Sequence, residues 1–279
     1  MPAGARPPAR PGPVTERVTG RAGTRTVTAV AAFLDDFDGP DLDEAVWVPH
    51  YLPAWSSRAA SRATFEVARS RLVLRIPPGQ GLWCPDTHPE PLRVSGVQSG
   101  TWSGPVGSRR GQQAFRPGLV VQEAQPRVAG WLPSRGRVAV TCRMELSPRS
   151  MAALWLSGFE EDPDDAGELC VVEVFGRSVR DGTAEVGVGV KRLGDPRLEQ
   201  QFVQPRLAID VAELHEYAVV WDEATAVFTV DGTEVHRASR PPTYPMQVMV
   251  AVFDFPGWSV GDDDHLVPVL EVERIAGSG

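Results

Sequence analysis

From Phe33 onward the chain is a succession of short apolar–polar alternations, each closed by a turn. The clearest is "RVAVTCRMEL", where Val138, Val140, Cys142, Met144 and Leu146 alternate with Arg137, Thr141, Arg143 and Glu145, which predicts a strand with one core face and one wet face. "AVFTVDGTEVHR" predicts a hairpin about Asp231-Gly232, a dipeptide suited to the left-handed positions of a two-residue turn, and "HEYAVVW" predicts the strand before it. Further strands are expected in "TFEVA", "RLVLRI", "LRVSGVQSG", "GLVVQEA", "SMAALWLSG", "AEVGVGVK", "YPMQVMVAVF" and "VPVLEVERI", and a helical turn only in "DVAELH". Many strands without helical crossovers predict an all-β fold, a jelly-roll sandwich of two antiparallel sheets.

Composition sharpens this picture. With 279 residues, 42% of them hydrophobic, the chain is long enough for one large core, and residues 31–279 read as a single domain. Residues 1–30, rich in Pro, Arg, Gly and Thr, read as a disordered extension. "VTAVAAFL" is too short for a clear signal peptide, so the location reads as cytoplasmic or is left open, with secretion if the start codon lies elsewhere. No apolar run reaches membrane-spanning length, and a net charge of −8 gives no footprint for nucleic acid, so Arg109 and Arg110 read as solvated surface. Three cysteines (Cys84, Cys142, Cys170) without a Cys-x-x-Cys unit specify neither a disulfide framework nor a zinc cage. Cys84 and His88 in "WCPDTH" are at most half a metal site, no metal or cofactor is expected, and a monomer is expected.

One stretch departs from a plain strand. "GELCVVEVFG" (167–176) is Val-rich, yet it carries Glu168 and Glu173 on either side of Cys170. Regular alternation would place the two acids on opposite faces; if one of Val171 and Val172 is the extra residue of a β-bulge, Glu168, Cys170 and Glu173 share a face. Their Cα atoms would then stand on the order of 13 Å apart, so both side chains must lean together to bring the carboxyls within the roughly 5 to 5.5 Å that double displacement at a sugar carbon requires. Taken alone, the same stretch also reads as an edge strand with solvated acids.

The stretch resembles the Glu-x-Asp-x-x-Glu signature of glycoside hydrolase family 16, the laminarinase-like β-glucanases. Other blocks resemble that family in the same order: "FLDDFDGPDLDEAVW", "RLVLRI" with "VSGVQSG", "GRVAVTCRMELSPRSMAALWLSG", "HEYAVVWDEATAVFTVDGTEVHR" and "YPMQVMVAVFDFPG". The resemblance covers roughly residues 33 to 275 and implies a concanavalin A-like jelly roll. It also implies a retaining hydrolase or transglycosylase of a β-linked glucan or related polysaccharide, with Glu168 as nucleophile and Glu173 as general acid/base. Cys170 stands where the family has an aspartate that hydrogen-bonds the nucleophile, and Lys191 stands on a strand where the family often has His. The Cys170 departure equally suits a glycan-binding protein without turnover; a structural cell-envelope protein is a third reading, resting on the basic tail alone. The acidic runs "DDFDG" and "GDDDH" do not specify a calcium site.

Among the eight tryptophans, Trp47 and Trp221 are assigned to the core, and Trp155 lies on the strand before the one carrying the two acids. Trp83, Trp102 and Trp258 sit in turn-rich segments, where each either stacks on a pyranose ring or packs inward. His215 and His236 read as structural or surface residues. Gln247 either bonds sugar hydroxyls or satisfies a backbone group.

Overall fold

Two antiparallel sheets stack face to face in a computed structural model that describes residues 32–261, 263 and 265–278; the expected extension at 1–30 lies outside the described residues. The chain runs through β1 (Ala32–Asp35), β2 (Phe65–Val67), β3 (Leu72–Arg75), β4 (Arg93–Gln98) and the short β5 (Gly100–Thr101) and β6 (Val128–Ala129). Next come β7 (Gly136–Glu145), β8 (Ser150–Gly158) and β9 (Glu168–Phe175). The short β10 (Ala184–Glu185), β11 (Gly187–Lys191), β12 (Gln201–Val203) and β13 (Arg206–Leu207) follow. The last strands are β14 (His215–Trp221), β15 (Thr225–Val230), β16 (Thr233–Ser239), β17 (Met246–Asp254) and β18 (Val269–Ser278). One sheet has the order β16-β15-β14-β7-β18-β3-β2, with β1 on β18; the other has the order β12-β11-β9-β8-β17-β4.

The main core lies between the sheets. Val138, Val140, Cys142 and Met144 of β7 point into it with Tyr217, Val219 and Trp221 of β14, and they meet Leu154, Leu156, Val248, Val250 and Val252 from the second sheet. That second sheet is covered on its other face as well. Met151, Ala153 and Trp155 of β8 and Met249, Ala251 and Phe253 of β17 pack there against Leu52, Trp55, Trp83, Leu119 and Val121 from long connections. Burial on both faces explains why β8 and β17 read as continuous apolar runs.

The Asp231-Gly232 hairpin forms as expected, with positive φ at both turn residues (49° and 76°). "GLVVQEA", in contrast, is not a strand. Leu119 and Val121 are buried, but the backbone bonds of this segment go to loop carbonyls, Val121 N to Ser108 O (2.8 Å) and Gln122 N to Ala54 O (2.7 Å). Its alternation reports a loop lying on a sheet face. "DVAELH" likewise makes a turn at Asp210, whose carbonyl and carboxylate accept from Glu213 N and Ala212 N, and no helix continues from it.

Candidate active site

The doubled valine of β9 forms a bulge. On β8, Leu154 pairs with Val172 and Trp155 with Cys170, so Val171 is the extra residue. The neighbour β11 shows the same shift, with Gly187 opposite Glu173 and Gly189 opposite Cys170. Leu169, Val171, Val172 and Val174 all face the main core, which leaves Glu168, Cys170 and Glu173 together on the outer, concave face. Two glycines of β11 make room for this. A Cβ at Gly189, whose φ is +129°, would lie 2.2 Å from the carbonyl oxygen of Gln201, and one at Gly187 would lie 2.7 Å from the Phe202 ring.

Glu168 is 8% exposed and stands between Ser157 of β8 and Lys191 of β11. Burial pushes its carboxyl up to about 7; Lys191 pulls the other way, the charge of Glu173 adds to the rise, and a hydrogen bond from Gln113 reduces it. That bond is a short contact from Gln113 Nε2 to Glu168 Oε1. Lys191, the only lysine in the sequence, reaches from its place opposite Glu168 to Glu173, with Nζ 2.6 Å from Oε2 and 4.5 Å from the Phe202 ring centroid. The Cys170 thiol donates to Gly187 O at 3.5 Å, and burial pushes its pKa far up, so it is neutral and turned away from Glu168. A third carboxyl, Glu160, is pushed up to about 8, chiefly by burial; the Gln113 backbone N–H (2.8 Å) counteracts this and Glu168 adds to it.

A cleft of about 670 Å³ opens beside Glu168, with Tyr51, Trp83, Trp102, Phe115 and Trp155 in its walls and Glu160, Arg109 and Arg110 at its polar side. Trp155, next to Cys170 in register, packs near Tyr51 and Phe253. Trp83 is buried between Tyr51 and Phe115, and its Nε1 has no hydrogen-bond partner. Trp102 donates from Nε1 to Phe159 O at 2.5 Å and has the Arg110 guanidinium 5.5 Å from its ring centroid. Arg109 and Arg110 are exposed, as expected, and both stand at the cleft.

Two expected sugar-binding residues fall outside this cleft lining. Trp258 stacks on Phe255 (4.2 Å between centroids) under the Arg177 guanidinium, near Phe175, two positions beyond Glu173. It stands at the other end of the concave face. Gln247 is fully buried opposite Ser157, on the face that carries Glu168; it accepts weakly from Gln98 Nε2 at 3.4 Å and leaves its own Nε2 without a hydrogen-bond partner. Trp47 and Trp221 occupy the main core, bonded to Asp35 Oδ2 and Ser134 O. His215 bonds Asp231, and His236 bonds Gln201 O. Cys84 and His88 have separate partners, Trp55 O and Glu90 O, and among the described residues no group of three or more His, Cys, Asp and Glu is placed to hold a metal. No helix among the described residues is long and apolar enough to cross a membrane.

Sequence reading missed Tyr51, Gln113, Phe115 and Glu160. All four lie on connections, where no periodicity marks a side chain as inward-facing; the acid pair in "GFEEDPDD" just before β9 is the one local signal that pointed to Glu160.

Residues 134–265 match the family Glycosyl hydrolases family 16. No curated protein matches the chain. Among solved structures, the fold superposes on the GlcNAcα1-4Gal releasing endo-β-galactosidase from Clostridium perfringens with a TM-score of 0.74 and 19% identity, covering 91% of this chain and 63% of that one. SCLam, a non-specific endo-β-1,3(4)-glucanase from family GH16, gives a TM-score of 0.61 at 14% identity over 90% of this chain and 93% of its own. The laminarinase from Flavobacterium sp. UMI-01 gives 0.59 at 13% identity, over 90% and 100%. At such identities the likeness to these structures is one of fold. Joined to the segment match, which spans β7 to β17 and contains Glu168, Cys170 and Glu173, it supports glycosyl hydrolase family 16.

Proposed function

We propose that the protein is a retaining hydrolase of a β-linked glucan or galactan, with Glu168 as nucleophile and Glu173 as general acid/base. The observation that carries this reading is the bulge at Val171, which turns both carboxyls of β9 to one face, with Glu168 lining an aromatic-walled cleft. Ionised Glu168 attacks the anomeric carbon; the glycosidic C–O bond breaks, and its oxygen takes a proton from Glu173. In the second half, Glu173 removes a proton from a water whose oxygen displaces Glu168 from the sugar. For the first half Lys191 must release Glu173, with which it is ion-paired in the free protein, when a sugar enters the cleft. The choice of glucan or galactan is supported by the activities of the proteins with similar folds, and a panel of both, followed by reducing-end detection, tests it. Turnover of at least one polymer is expected; binding without turnover would instead support a glycan-binding protein, the reading favoured by the neutral thiol of Cys170.

Lys191→Met tests the electrostatics. The ammonium favours the ionised form of Glu168, so its loss should move the acidic limb of the kcat/KM profile to higher pH. An unmoved limb in an active variant would remove Lys191 from the pair's environment.

A further inference from the structure

We infer that Gln113 is the positioning residue of Glu168, performing from a loop the task that the thiol of Cys170 does not perform here. This rests on Glu168 belonging to the reacting pair. Cys170 is the nearest same-face neighbour of Glu168 on β9, yet its thiol bonds Gly187 O. The side-chain donor that reaches Glu168 is the Gln113 amide, in a short contact. Two features hold that amide in place. Gln113 has a φ of +48° and Glu160 a φ of +58°, left-handed conformations that are costly for residues with a Cβ. The two strained residues are tied together by Gln113 N donating to Glu160 Oε1 at 2.8 Å. Strain on both sides of one hydrogen bond, next to a buried carboxyl, marks a clamp that the surrounding packing maintains.

The remaining amide atom, Gln113 Oε1, is buried without a partner, and the residue lines the cleft. A primary amide offers donor and acceptor in one plane. One edge orients Glu168, and the other is covered by the surrounding protein.

Glu168 is faced by Lys191 from β11, by Cys170 and Glu173 from its own strand, by Glu160 from the β8–β9 connection, by Tyr51 from the segment after β1, and by Gln113. Of these, Gln113 alone among side chains donates a hydrogen bond to it in the described structure. Gln113→Met keeps length and the backbone bond to Glu160 but removes the amide. The expected result is a kcat lower by about 10- to 100-fold, from the loss of a charge-assisted hydrogen bond, with the acidic limb of the pH profile moved to higher pH. Cys170→Asp in the Gln113→Met background should restore much of the lost rate, and a general packing defect would not be repaired this way. Wild-type kcat and an unmoved acidic limb in Gln113→Met would overturn the inference, as would a double variant no faster than Gln113→Met. A wild type that turns over no β-glucan or β-galactan would instead overturn the reading of the active site, and this role with it.

Discussion

Glu168→Gln is expected to abolish turnover, lowering kcat by roughly 10⁴- to 10⁶-fold, the scale seen when a nucleophile is removed from a coupled catalytic group. The exchange is nearly isosteric, and an amide cannot form the glycosyl ester. The fold should tolerate it. Burial raises the Glu168 carboxyl to about 7, so a neutral side chain is compatible with the site, and a glutamine oxygen can still accept the Gln113 amide proton. The melting temperature should therefore stay near the wild-type value. Undiminished activity in a folded variant would remove Glu168 from the chemistry.

The second large effect concerns Glu173, and its diagnostic is dependence on the leaving group. Glu173→Gln retains an acceptor for Lys191 but cannot protonate the departing oxygen. Hydrolysis of a polysaccharide should fall by about 10²- to 10⁴-fold. A β-glycoside with a nitrophenol leaving group needs little protonation, so the variant should cleave it with a much smaller deficit in the glycosylation step, measured as the first-turnover burst. An equal loss on both substrates would assign Glu173 a structural role, most simply as the partner that holds Lys191 over Phe202.

How much of this was legible in the sequence depends on which faces of each strand are covered. β7 has a wet face, so its alternation was unambiguous; β8 and β17 are buried on both faces, so their sidedness was hidden although their existence was clear. The bulge was legible because two adjacent valines interrupt the alternation between Cys170 and Glu173, and the ladder shift falls at that point. Loops gave little. Leu119 and Val121 imitate a strand because they pack on a sheet face, and Gln113 and Glu160 adopt left-handed backbone conformations that sequence period does not encode. Trp83, Trp102 and Trp155 were identified by residue type and line one cleft, whereas Trp258 belongs to a separate aromatic stack and Gln247 is fully buried.

The central claim is double displacement by the pair that the bulge places on one face. Proton magnetic resonance of the first product released from a β-linked polymer tests it most directly, because double displacement passes through a covalent intermediate and therefore gives net retention. The account predicts that the β-anomer appears first and the α-anomer only later, by mutarotation. An α-anomer in the earliest spectra would mean direct attack by water and would contradict the mechanism.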